Sequence, residues 1–159
     1  MKIGIITVSD SCFNGRRVDK SGKIIQQMVS SIGEVVEYRI VPDDKGVLQS
    51  ALLYLTDKQE VDLLLTTGGT GISPRDITPD VTKQIIEKEI PGFGELMRLK
   101  SFSSSPTSVL SRGIAGIRGK SVIVNLPGSP KGVKECLALL LPILPHTFDM
   151  IRGLPHEQD

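Results

Sequence analysis

The sequence predicts an α/β fold of three layers, α/β/α, in which a mainly parallel sheet is covered by helices on both faces. Short apolar runs alternate with segments of helical period, turn residues separate them, and no internal repeat or composition break divides the 159 residues. A chain of this length buries roughly two thirds of the surface its unfolded form exposes but is short for two ordinary domains. Residues 1–159 are therefore expected to form one core.

The elements follow in order. Lys2–Val8 is apolar and β-branched and stops at Ser9-Asp10-Ser11, which suits a buried first strand running into a polar loop. From Ser21, Ile24, Ile25, Met28, Val29 and Ile32 recur at three-to-four spacing, and Gly33 offers the stop of an amphipathic helix. Glu34–Val41 is a second strand cut off by Pro42, after which Val47, Leu48, Ala51, Leu52 and Leu55 restore the helical period. Asp62–Thr67 is a third strand, and Thr78-Pro79-Asp80 supplies an N-cap, an N1 proline and an acidic first turn for the next helix. A further helix starts at Pro91-Gly92 and carries Leu96, Met97 and Leu99, and the serine-rich stretch Ser101–Ser108 reads as a loop. Ser121–Leu126 is the fourth strand; the apolar segment from Lys131 docks on the sheet, kinked or divided by Pro142 and Pro145.

Composition narrows the function. With 19 basic and 18 acidic side chains there is no footprint for a nucleic acid or an anionic membrane, so phosphate chemistry must come from local geometry. The N-terminus lacks a signal-peptide pattern and no apolar run reaches the length of a span, so a cytoplasmic location is expected. Cys12 and Cys136 are far apart and without ligand-spaced histidines, and read as ordinary thiols; His146 and His156 lie away from every glycine loop and read as structural or solvent-exposed.

Strands alternating with helices imply right-handed βαβ units, and ligands in such folds bind beyond the carboxyl ends of the strands. Ser9–Ser11, Pro42–Asp44, Gly68–Asp76 and Asn125–Lys131 should therefore converge on one rim. Thr66-Thr67-Gly68-Gly69-Thr70-Gly71 lets the backbone approach a ligand with its N–H groups turned inward, an anion cradle rather than a plain turn. It is neither a Walker A loop nor a dinucleotide fingerprint, which disfavours a nicotinamide-dependent oxidoreductase. Leu126-Pro127-Gly128-Ser129-Pro130-Lys131-Gly132 is a second cradle at a helix N-terminus, and its plain reading is a strand stop with Ser129 as cap. Asp43 and Asp76 both fall on the rim and could share a magnesium ion with substrate phosphates; both are also ordinary turn formers, and Asp44 competes with Asp43 for the role. Arg75, Arg98, Arg112 and Arg118 are anion partners by residue type only.

Together these motifs resemble one family. The two cradles, Pro74-Arg75-Asp76-Ile77-Thr78-Pro79-Asp80, Pro91-Gly92-Phe93-Gly94-Glu95, Leu110-Ser111-Arg112 and Ala115-Gly116-Ile117-Arg118-Gly119 are similar, in order and spacing, to the successive blocks of MogA and of the plant and gephyrin G-domains. The MoaB group shares the Gly-Gly-Thr-Gly loop, but the Leu-Ser-Arg and Asn-Leu-Pro-Gly-Ser-Pro-Lys blocks side with MogA and gephyrin. The resemblance implies a homotrimeric molybdopterin adenylyltransferase of molybdenum cofactor biosynthesis, which uses Mg2+ and transfers AMP from ATP to the terminal phosphate of molybdopterin with release of pyrophosphate. It also implies contact with a molybdenum-insertion protein. It makes Asp43 and Asp76 the essential, metal-holding aspartates. Ser9, Asp10, Thr67, Gly68, Gly69, Thr70, Gly71, Arg75, Ser111, Arg112, Asn125, Pro127, Gly128, Ser129 and Lys131 become candidates for binding ATP or molybdopterin, with the assignment of each cradle to pterin or nucleotide left open. The competing reading is a non-catalytic molybdopterin-binding or scaffold protein of the MoaB type, which retention of both aspartates disfavours.

Overall fold

The computed structural model describes residues 1–155; His156 lies outside the described residues. Six strands, β1 (Lys2–Val8), β2 (Glu34–Val41), β3 (Leu63–Thr67), β4 (Lys88–Glu89), β5 (Ala115–Arg118) and β6 (Ser121–Leu126), form one sheet in the order β2-β1-β3-β6-β5-β4. The first four strands of that order are parallel, while β5 and β4 are antiparallel to their neighbours. Among the described residues seven α-helices accompany them: α1 (Asp10–Phe13), α2 (Lys20–Val29), α3 (Lys45–Leu53), α4 (Thr78–Ile85), α5 (Pro91–Ser101), α6 (Pro130–Leu140) and α7 (Leu144–Ile151).

The period-two alternation of the strands sorts two cores onto opposite faces. Ile3, Ile5, Leu63, Leu65, Val122 and Val124 pack under α2, α5, α6 and α7, whereas Ile6, Val8, Leu64 and Ile123 meet α3 and α4. This is the expected three-layer arrangement. Pro142 and Pro145 do divide the closing segment, into α6 and α7.

Four local expectations are corrected. Strands β4 and β5 were not legible as strands. Lys88–Glu89 is two exposed charged residues, and β4 lies against β5 only because Gly116 has no side chain, since a Cβ there would sit 2.7 Å from the Lys88 carbonyl oxygen. Gly33 does not terminate α2 in a left-handed conformation; the helix ends at Val29, and Gly33 instead lets the chain pass Met1, whose carbonyl oxygen would lie 2.4 Å from a Cβ. Thr78 is not the N-cap of α4, because its hydroxyl donates to the Gly68 carbonyl at 2.9 Å. The serine-rich stretch is not all loop, since α5 runs through Ser101 and Pro106–Leu110 forms a short 3-10 helix. Among the described residues no helix is long and apolar enough to cross a membrane.

Candidate functional site

The strand order reverses between β1 and β3, and the rim beyond their carboxyl ends is where ligands bind in such sheets. The loops from β1, β2, β3 and β6 do meet there. Gly68 passes so close to the end of β1 that a Cβ would sit 2.4 Å from the Val8 carbonyl oxygen, and Gly128 comes within contact of Gly68. Thr67 ties the β3 loop to the β6 loop by donating to the Pro127 carbonyl at 2.7 Å, and Ser21 of α2 donates to the Gly128 carbonyl at 2.7 Å.

The glycine loop is built to turn its donors outward. Gly68 and Gly69 sit at φ +95° and +67°, left-handed values that favour glycine. The four carbonyls of Gly68, Gly69, Thr70 and Gly71 are all taken by the scaffold: Thr78 Oγ1, Thr78 N–H, Arg112 N–H and Arg112 Nε donate to them in turn. The N–H groups of Gly69, Thr70 and Gly71 donate to nothing among the described residues. Three consecutive open donors with occupied carbonyls are an arrangement that suits an anion. At the second loop Ser129 caps α6 by accepting from Gly132 N–H, while the N–H groups of Gly128, Ser129 and Lys131 remain open among the described residues. The cap therefore leaves these donors available to a ligand.

Two cavities flank these loops. One, about 360 Å3, lies between α5 and α6 and takes in Thr70, Gly71, Ser111, Asn125, Pro127 and Lys131; the other, about 560 Å3, lies beside α1 and α2 and takes in Ser9, Asp43, Thr67, Gly68 and Gly69. Gly128 and Ser129 form a wall of both. Sequence reasoning missed Arg17, Lys20 and Ser21 in the second cavity and the serine stretch in the first. A hint lay in Arg17 and Lys20 flanking Asp19, whose carboxylate caps α2 at Gly22 N–H, so that the start of α2 faces the rim.

Several candidate side chains have occupations of their own. Asn125 is buried, its amide donating to Thr66 Oγ1 and Thr82 Oγ1 at 3.0 Å and its oxygen accepting from Ile114 N–H. Arg112 binds the Gly71 and Asp76 carbonyls and the Asp80 carboxylate, and that hydrogen bond holds the Asp80 carboxyl below its usual range. Arg98 donates to the Ser111 and Gly113 carbonyls at the wall of the first cavity. Arg118 pairs with Asp57.

Asp10, Arg75, Asp76 and Arg112 line neither cavity. Asp44 caps α3 through Val47 N–H, which leaves Asp43 as the aspartate of that loop facing a cavity. Asp43 Oδ2 accepts from Asp10 N–H at 3.0 Å, and Asp76 Oδ2 accepts from Ser73 N–H at 2.9 Å while lying behind Gly71. The second oxygen of each carboxylate takes no hydrogen bond among the described residues. Asp10 is held below the ordinary carboxylate range, chiefly by the hydrogen bond from the Asp43 backbone and then by Arg75.

Comparison with known proteins fits this geometry. The molybdopterin adenylyltransferase of Helicobacter pylori strain J99 is 46% identical over 154 residues, covering 95% of this chain and 88% of that protein. The solved structure of the molybdopterin biosynthesis enzyme MoaB from Thermus thermophilus superposes with a TM-score of 0.89 at 44% identity, covering 97% of this chain and 98% of the other. A solved MogA structure superposes at 0.91 with 37% identity, covering 95% and 99%. MogA and MoaB structures alike are thus similar to this chain over nearly its whole length. The model of the probable molybdopterin binding domain matches residues 4–146, a span that takes in every loop of the rim, and the chain belongs to that family.

Proposed function

We propose that this chain is a molybdopterin adenylyltransferase, residues 1–159 acting as a single domain that transfers AMP from ATP to the phosphate of molybdopterin. The observation that carries the reading is the pair of cavities sharing the Gly128–Ser129 wall, each bordered by open backbone donors. Two phosphorylated ligands held on either side of one wall have their phosphates adjacent, which is what a group transfer between them requires. The name carried by the Helicobacter relative agrees with it.

In this reading an oxygen of the molybdopterin phosphate attacks the α-phosphorus of ATP; that P–O bond forms as the bond to the pyrophosphate oxygen breaks. The N–H groups of Gly69–Gly71 and of the α6 N-terminus hold the phosphates and balance the charge that develops on them. No protein nucleophile is needed. Asp43 fits a hard cation, since it borders the second cavity and keeps one oxygen without a hydrogen bond, the remaining ligands falling to phosphate and water, as Mg2+ prefers; Asp76 also keeps one open oxygen but lines neither cavity, and its share in that site rests on the family resemblance. When bound there, Mg2+ neutralises charge on the departing pyrophosphate.

The same reading includes a homotrimer in the cytoplasm, in contact with a molybdenum-insertion protein. Exposed Leu99, Phe102, Val109 and Leu110, on α5 and the segment after it, offer apolar surface for subunit contact. Light scattering should give three times the 17.2 kDa of the chain, and a stable monomer at micromolar concentration would refute the trimer. The function is tested by incubating the purified protein with molybdopterin, Mg2+ and ATP labelled at the α-phosphate. Labelled, adenylated pterin is expected; binding without transfer would make the chain a binding protein instead.

A further inference from the structure

The glycine loop after β3 is gripped by two residues that line neither cavity, and each takes the carbonyls of the two peptides that flank one glycine. Thr78, at the start of α4, donates from its N–H to the Gly69 carbonyl at 3.1 Å and from its hydroxyl to the Gly68 carbonyl at 2.9 Å. Arg112, from the segment before β5, donates from its N–H to the Thr70 carbonyl at 2.7 Å and from Nε to the Gly71 carbonyl at 2.8 Å. A peptide unit is planar and trans, so its carbonyl and its N–H point opposite ways, and fixing the one aims the other. Thr78 thus sets both peptides flanking Gly69, which borders the cavity beside α1 and α2; Arg112 sets both peptides flanking Gly71, which borders the cavity between α5 and α6. We propose that Thr78 and Arg112 are positioning residues with divided duties, Thr78 holding the Gly69 donor for the ligand beside α1 and α2, and Arg112 the Gly71 donor for the ligand between α5 and α6. This rests on the reading that the two cavities take the two substrates, and it assigns Arg112 a role other than direct ligand binding.

Arg112 is itself held in place. Its guanidinium makes four hydrogen bonds to the chain, to the Gly71 and Asp76 carbonyls and to both oxygens of Asp80 in the first turn of α4. A planar fork bridges three such partners at once, where an ammonium does not. The Arg112 and Asp80 side chains are 37% and 49% exposed, and ion pairs this exposed contribute little to stability, so the main effect of the pair is on where the loop sits. Thr78, by contrast, is fully buried, and its Oγ1 would lie 2.4 Å from a Cβ at Gly69, so its side chain meets the opposite end of the loop. Each end of the loop therefore has its own anchor.

The test measures binding of ATP with Mg2+ and of molybdopterin, each by calorimetry, together with the melting temperature, for Arg112→Ala, Arg112→Lys, Asp80→Asn and Thr78→Val. Arg118→Ala is the control, since Arg118 makes the same kind of forked contact, to both oxygens of Asp57 and to the Ile85 carbonyl, at the end of β5 away from the rim. Arg112→Ala and Arg118→Ala should melt within about 3 °C of each other. One of the two ligands should bind about tenfold more weakly to Arg112→Ala and within about twofold of normal to Thr78→Val, and the other should show the reverse. Asp80→Asn should weaken the same ligand as Arg112→Ala, by less, Arg112→Lys should recover part of the loss, and Arg118→Ala should bind both normally. Were Arg112 a direct ligand contact, Asp80→Asn would free it and leave binding unchanged or tighter, which would overturn the positioning role. Equal loss of both ligands in Arg112→Ala, loss of the same ligand in Arg112→Ala and Thr78→Val, or normal binding in Arg112→Ala would overturn the division; if Arg112→Ala does not fold, Arg112→Lys and Asp80→Asn are read in its place. If the unchanged protein binds both ligands with this crossed pattern yet transfers no AMP, the division stands and the catalytic reading falls; if it binds one or neither, both fall.

Discussion

Gly69→Ala probes the cradle where the geometry is least forgiving. At φ +67° the methyl group meets the left-handed penalty of an L-residue, about 1–2 kcal/mol, and it would lie 2.4 Å from Thr78 Oγ1. Thr78 must then turn away and give up its bond to the Gly68 carbonyl, a further loss of about 1 kcal/mol. The sum, about 2–3 kcal/mol, lowers the melting temperature of a chain of this size by about 4–12 °C without unfolding it. Gly119→Ala is the internal control: its φ is +57°, but nothing lies within 4 Å of the added carbon, so it should carry only the left-handed share. ATP binding, followed by calorimetry, should fall more steeply for Gly69→Ala than the stability loss accounts for, because the open N–H groups of Gly69 and Thr70 are re-aimed, whereas Gly119→Ala should bind normally. If Gly69→Ala melts with Gly119→Ala and binds ATP like the unchanged protein, the loop is a plain turn and the cradle argument fails.

Two further outcomes follow from the same structure. Asn125→Ala removes the partner of Thr66, Thr82 and Ile114 in a buried setting and should lower stability by about 2–3 kcal/mol, read as a lower urea midpoint at unchanged slope. Asp10, Asp57 and Asp80 are held below their ordinary value of 3.8, Asp10 by the Asp43 backbone and the other two chiefly by hydrogen bonds from Arg118 and Arg112. Their share of stability is present above the unfolded value and is lost as pH falls through the lower folded ones, so urea midpoints should be level from pH 7 to about 5 and drop below about 4. Asp57 and Asp80 are exposed and Asp10 is half-buried, so the drop is modest; Arg112→Ala should remove the Asp80 share, and an unchanged acid limb in that variant would contradict the assignment.

Much of this was legible in the sequence because the parallel strands and their helices carry strong periodic signals. Leu63–Thr67 and Ser121–Leu126 are apolar on both faces, as a sheet covered on both sides requires, and the turn residues after them mark the rim. The antiparallel edge was not legible, since β4 is too short and too polar to show alternation and β5 depends on Gly116 for a contact that exists only in three dimensions. Between Asp43 and Asp44 the residues alone left the choice open, because either aspartate suits a turn, and only the family resemblance pointed to Asp43; in the structure Asp44 caps α3 through Val47 N–H while Asp43 borders the second cavity. The locking of the Gly68–Gly71 carbonyls depends on Thr78 and Arg112, and the Arg112 contacts span more than thirty residues. Glycine content suggests a cradle, but only those partners establish which way its donors point.

In the proposed reaction the rim carries out adenylyl transfer with Asp43 and Asp76 holding the metal. Its most direct test is the rate of labelled AMP transfer from ATP to molybdopterin at limiting Mg2+ for the unchanged protein, Asp43→Asn and Asp76→Asn, with molybdopterin binding measured in parallel. Asparagine keeps the size and one acceptor oxygen but removes the charge, so the rate should fall by roughly 10²-fold or more in each variant while pterin binding largely survives. Transfer by both variants at the unchanged rate would reduce these aspartates to turn formers and contradict the account.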